Sequence, residues 1–261
     1  MAVIYSASRA TESPMTSARD FLVRGLLAGL FGGLVAFGVA YVVGEPSINA
    51  AIAIEESGHG AGEEMVPRSL QATAGLLTAT MVAGVTLGGL VGVISALALG
   101  RLGRLGVRGV CLSVAMIGFV SASLVPFVAY PPNPPAVGHP ETIGMRSELY
   151  FIMVAISVIA AVTAVLVGRK LARRWGTWYA TLSAIAGYFL VTMTAIALLP
   201  SYSEVSADFP ATVLYEFRMA SLVTQLALWA TIGLALGELL HRMQRRIDLQ
   251  AHEPDYAEQS L

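Results

Sequence analysis

The feature that most constrains this chain is a series of six apolar runs, each long enough to cross a hydrocarbon layer of about 30 Å. They fall at about 21–43, 73–99, 108–129, 149–168, 178–199 and 219–240. Only 13% of the residues are charged, against roughly 25% in a soluble domain. The chain therefore lacks the polar surface to face water on every side, and lipid becomes its solvent. The reading is an all-α polytopic membrane protein with a polar leader over 1–20, a six-helix transmembrane domain over 21–246 and a polar tail over 247–261. Met15 is an alternative start to Met1, because residues 1–14 read as disordered leader. The first run is too long for a signal-peptide core and no small-residue cleavage site follows it, so it reads as a membrane span.

Charge sorts by connection. Arg9, Arg19 and Arg24 stand at the start of the first span, and Arg242, Arg245 and Arg246 follow the last. Arg101, Arg104 and Arg108 fill the connection after the second span; Arg169, Lys170, Arg173 and Arg174 fill the one after the fourth. The positive-inside rule places these segments and both termini in the cytoplasm, which makes three helical hairpins in series. The outer connections are acidic, with Glu45, Glu55, Glu56, Glu63 and Glu64, then Glu141 and Glu148, then Glu204, Asp208 and Glu216. Each inward-running helix begins after acidic residues and one arginine: Arg68, Arg146 or Arg218. This repetition has the look of an internal repeat. It predicts that the three arginines form structural ion pairs with neighbours such as Glu64, Glu148 and Glu216. Gly25, Gly29 and Gly33, and likewise Gly84, Gly88 and Gly92, are spaced by four. Such stripes let two helices approach closely, so the first two spans pack on each other or on a partner.

Two segments carry groups suited to a divalent metal. Residues 44–56 (GEPSINAAIAIEE) read as a short helix just outside the first span, with Pro46 suited to its first turn. At 100° per residue, Glu45, Asn49, Glu55, Glu56 and His59 share one arc. Carboxylate and imidazole suit a borderline transition metal, and a solvated face of an interfacial helix is the alternative. The second outer connection carries five prolines between Pro131 and Pro140. They hold it extended, with Asn133 and His139 as further candidate metal ligands beside Glu141. Cys111 is the sole cysteine and lies in an apolar stretch, so disulfide frameworks and thiolate metal sites are excluded. No ionisable residue stands near mid-span. Glu238 lies close to the cytoplasmic end of the last span and can snorkel, while Gln225 is the most polar mid-span side chain. The chain has no nucleotide-binding P-loop, no HExxH motif and no nucleophile elbow, and nothing suggests an enzyme or a nucleic-acid partner.

Three segments resemble a known family: residues 44–56, residues 124–144 (LVPFVAYPPNPPAVGHPETIG) and residues 217–226 (FRMASLVTQL). They are similar to signatures of the cobalt transporter subunit CbtA family, and with the intervening spans the resemblance covers about 20–240. It implies a multi-pass protein of the bacterial inner membrane that takes up Co²⁺ for cobalamin synthesis. It also implies a partner, the very small His-bearing membrane subunit CbtB. The matched positions are Glu45, Glu55, Glu56, Asn133 and Arg218. An acidic residue is the family's more usual occupant at the position of His139, where this chain departs. Combined with the residues, the expectation is a membrane subunit for uptake of Co²⁺, or Ni²⁺, as transported substrate, with no tightly bound cofactor. An acidic outer face gathers the cation, and hydroxyl-lined helices pass it inward. The alternative is a non-transporting scaffold that recruits a partner through its glycine-striped helices.

Overall fold

The computed structural model describes residues 17–59, 66–103, 105–135, 137–138, 140–202 and 204–251, and all regular structure among them is helical. Helix α1 (Ala18–Val39) opens with a capping box. Ser17 Oγ accepts from the Asp20 N–H at 3.2 Å, and the Asp20 carboxylate accepts from the Ser17 N–H at 3.0 Å. Those two bonds satisfy amides that the first turn leaves without helical partners, so the helix starts inside the segment expected to be leader. A π turn (Ala40–Gly44) carries α1 directly into α2 (Glu45–His59). The outer helix is thus a continuation of the first span. The joined stretch of 40 residues, Ala18–Ser57, rises about 60 Å, twice the hydrocarbon thickness.

Helix α3 spans Arg68–Ala98 and α4 spans Val107–Ala129, each with one π turn, at Gln71–Gly75 and Val120–Leu124. Helix α5 spans Ile143–Leu198 and α6 spans Ala211–Ala251, the latter reaching past 246 into the expected tail. Among the described residues, five helices are therefore long and apolar enough to cross a membrane, where six separate runs were expected. The fourth and fifth runs join in α5, whose 56 residues would reach about 84 Å if straight. They do not run straight. Gly176 adopts φ +78°, ψ 161°, a left-handed conformation open to glycine at little cost, and the two halves fold back on each other. Ser157 Oγ lies 2.7 Å from Tyr188 Oη across the fold, and a Cβ on Gly168 would stand 3.1 Å from that of Ala184. Met153, Ala160, Ala161 and Tyr188 form the core of this hairpin with Val125 of α4.

The remaining helices make the main bundle. Along the α1–α3 crossing, a Cβ on Gly33 would lie 2.6 Å from the Thr80 carbonyl oxygen, and one on Gly92 2.5 Å from that of Phe21. Gly25 and Gly29 face the backbones of Gly88 and Gly84 still more closely. Both predicted stripes thus meet each other, and dispersion between bare backbones holds the pair. They are not free to recruit a partner. Helix α6 fills the centre, burying Trp229, Ile232, Leu236 and Leu240 against Phe21, Ala28, Val110, Cys111 and Val114 of α1 and α4. Large apolar side chains such as Phe31, Val82, Phe151, Ile159 and Leu190 point outward, whereas Ser95, Ser157 and Thr192 are fully buried. That inside-out distribution suits a lipid surround. At the arginine-rich end, Glu238 of α6 pairs with Arg108 of α4 at 2.5 Å and with Arg242 at 2.6 Å, tying the two helices.

Candidate functional site

At the opposite, proline-rich end the main bundle opens into a cavity of about 420 Å³. Each of the three segments that resemble the known family contributes to its wall. Gly44, Glu45 and Ile48 come from the π turn and the first turn of α2; Phe127, Tyr130 and Pro132 come from the end of α4 and the connection after it. From α6 come Phe217, Ser221, Thr224 and Gln225, spaced at i, i+4, i+7 and i+8, which is one helical face. Tyr150 of α5 completes the ring. Two π turns place residues directly in the wall (Ala40 and Gly44 from the first, Ser123 from the third), and Leu76 follows the second at once. A π turn widens the helix by one residue and leaves carbonyls imperfectly paired, a device common at functional sites.

The floor is a polar relay. The Trp229 indole N–H donates to Ser123 Oγ at 3.0 Å, and that hydroxyl stands 3.4 Å from Gln225 Oε1. Trp229 fits because Gly118 faces its ring; a Cβ there would approach Cη2 to 2.8 Å. Gln225 is the fourteenth residue beyond Ala211, so the floor lies about 21 Å along α6.

Among the described residues the single carboxylate in the wall is Glu45, 8% exposed, and the Arg68 guanidinium at the start of α3 pairs with it. The partner expected for Arg68, Glu64, lies outside the described residues. Arg146 pairs with Glu204 at 3.4 Å, not with Glu148. Arg218 donates to Asn133 Oδ1 at 3.1 Å and to the Pro132 carbonyl at 3.3 Å, not to Glu216. Geometry explains both changes. Residues two apart on a helix point away from each other, so Arg146 and Arg218 reach across to other connections. Gly138 sits against the second of these junctions at φ +108°, where a Cβ would be 2.8 Å from the Arg146 guanidinium and 3.0 Å from Glu204 Oε2. Each arginine thus stitches one helix start to a connection or helix from elsewhere in the chain.

The expected metal arc is divided by the same packing. Ser47 and Ala51 form the buried face of α2, continuing that of Gly44 in the π turn, with Glu45 at its edge, while Asn49, Glu55 and Glu56 are exposed. Ten and eleven residues separate Glu55 and Glu56 from Glu45, about 15 Å and 16.5 Å of rise, so a shared arc does not make a shared coordination sphere. Asn133 has its side-chain oxygen engaged by Arg218. The His59 and His139 side chains lie outside the described residues. Among the described residues, no three or more His, Cys, Asp or Glu side chains are grouped to hold a metal ion. Sequence reasoning missed Tyr130, Tyr150 and the π turns. The polar face of α6 was readable from the spacing of Ser221, Thr224 and Gln225.

Compared with known families, the chain matches over residues 18–241 a family described as "Probable cobalt transporter subunit (CbtA)". No curated protein and no solved structure matches the chain.

Proposed function

Since the chain belongs to the CbtA family of probable cobalt transporter subunits, we propose that it forms the route by which divalent cobalt crosses the bacterial inner membrane, with the cavity as its outer vestibule. The observation that carries this reading is the convergence of Gly44–Ile48, Phe127–Pro132 and Phe217–Gln225 on one cavity. The arginine-rich end faces the cytoplasm by the positive-inside rule, both termini lie there, and the folded-back α5 supplies two of six crossings. Glu55 and Glu56 stand on the projecting end of α2, where exposed carboxylates raise the local cation concentration. Glu45 then offers a carboxylate inside the vestibule, shared with Arg68, and nickel, with similar ligand preferences, is the closest competitor. A membrane potential supplies about 2.3 kcal/mol per charge per 100 mV, doubled for a divalent ion, and draws the cation inward. A small membrane subunit of the CbtB kind is the partner this reading calls for. The scaffold alternative loses its recruiting surface, because the glycine stripes are used between α1 and α3.

The test is uptake of radioactive cobalt by proteoliposomes, with and without the small subunit. Glu45→Gln is expected to lower uptake at limiting cobalt by roughly tenfold or more, about 1.4 kcal/mol, with insertion unchanged. Glu55→Gln with Glu56→Gln should lower it less, and only at low ionic strength. Parental uptake by Glu45→Gln would remove the vestibule from the route.

A further inference from the structure

The lining of the vestibule bears on the form in which the cation is taken. Among the described residues its polar side chains are hydroxyls, the Gln225 amide and one carboxylate, Glu45, whose charge is offset by Arg68. Stripping a divalent ion of water is repaid only by several well-placed charged or strongly donating ligands, and among the described residues this wall does not supply them. What it supplies is acceptors. The Ser221 hydroxyl already donates to the Phe217 carbonyl at 2.9 Å and the Tyr130 hydroxyl to the Pro200 carbonyl at 2.9 Å. Ser123 donates to Gln225 Oε1 and keeps one lone pair, since its other accepts from the Trp229 indole N–H. A hydroxyl whose proton is spent in this way keeps its lone pairs, so these groups present acceptors to a ligand. Water bound to a cation is the complementary partner: its oxygen faces the metal and its O–H bonds point outward. A shell of six waters at about 30 Å³ each occupies roughly 180 Å³, well within the cavity of about 420 Å³.

We propose that the vestibule takes cobalt as the hydrated ion, gripping the first shell of water through hydrogen bonds and leaving the metal itself unligated by protein. The proposal rests on the reading of the chain as cobalt's route. The probe is hexaamminecobalt(III), whose ammine ligands do not exchange on the time of the assay and present N–H donors in place of water. Binding to the detergent-solubilised full chain is followed by calorimetry, uptake by radioactive cobalt in proteoliposomes, and coordination by the visible spectrum of bound Co²⁺. The expected results are three. Hexaamminecobalt(III) binds within about tenfold of Co²⁺ and competes with its uptake. The bound Co²⁺ spectrum stays that of the weakly absorbing octahedral aqua ion. Gln225→Leu weakens both ligands together. Co²⁺ binding or uptake that the hexaammine leaves untouched, or an intense tetrahedral spectrum, overturns the inference and leaves the cobalt route standing. Failure of Co²⁺ to bind or to be taken up overturns the route itself, and the inference with it.

Discussion

The ion pair between Glu45 and Arg68 joins the base of α2 to the start of α3 in the vestibule wall, and its worth can be isolated by a double-mutant cycle. The two side chains are 11% and 24% exposed, and Arg68 Nε is buried without a hydrogen-bond partner. Removing one member leaves the other enclosed and unpaired. That costs about 3–5 kcal/mol for a fully buried pair, and the residual exposure of Arg68 lowers the expectation to about 2 kcal/mol. Glu45→Gln and Arg68→Met are each expected to lower stability by about that amount, or roughly 4–8 °C in melting temperature for a chain of this size. The double variant should be far less destabilised than the sum, giving a coupling of about 1.5 kcal/mol. The exposed pair Arg242–Glu238, whose side chains are 73% and 38% exposed, serves as control and should show little or no coupling, because solvent screens it. Thermal unfolding in detergent, followed by loss of the monodisperse peak, reads both cycles. Additive single effects at Glu45 and Arg68 would show that water solvates the pair, and the argument that burial fixes this wall would be lost.

Three further outcomes follow from the packing. Gly29→Leu or Gly88→Leu should force α1 from α3 and abolish the folded monomer or lower its melting temperature strongly, at a cost of at least about 1–3 kcal/mol. Gly38→Leu, with nothing within 4 Å of its added Cβ, should leave the melt unchanged. In a Cys111→Ser background, cysteines replacing Gly168 and Ala184, whose Cβ atoms would lie 3.1 Å apart, should form a disulfide under mild oxidation after a small shift, whereas a straight α5 would leave both reduced. Cysteines introduced at Ser57 and Ser206 should react with an impermeant reagent from outside the cell and one at Gly103 should not; the reverse pattern inverts the assigned orientation and with it the vestibule's side.

Helical class, lipid as solvent and the α1–α3 contact were legible in the sequence because each follows from composition or from a spacing counted along one helix. Gly25, Gly29 and Gly33 line up whatever surrounds them, and no other residue would let Gly84, Gly88 and Gly92 come as close. The six apolar runs were legible for the same reason, although only the backbone angle at Gly176 decided that two of them form a single folded helix. The vestibule was legible only in fragments. Glu45, Asn133, Arg218 and Gln225 stood out by type, yet their partners are set by contacts between segments far apart in sequence, which periodicity does not encode. Local spacing offered Glu148 to Arg146 and Glu216 to Arg218, and helix geometry refused both, since side chains two residues apart diverge by about 200°. Tertiary structure alone decided that Glu45 turns toward Arg68 while Glu55 and Glu56 remain in solvent. The physical reason is axial rise: residues on one arc are separated along the helix by 1.5 Å per position, and only the packing of α2 determines where along that length the bundle ends.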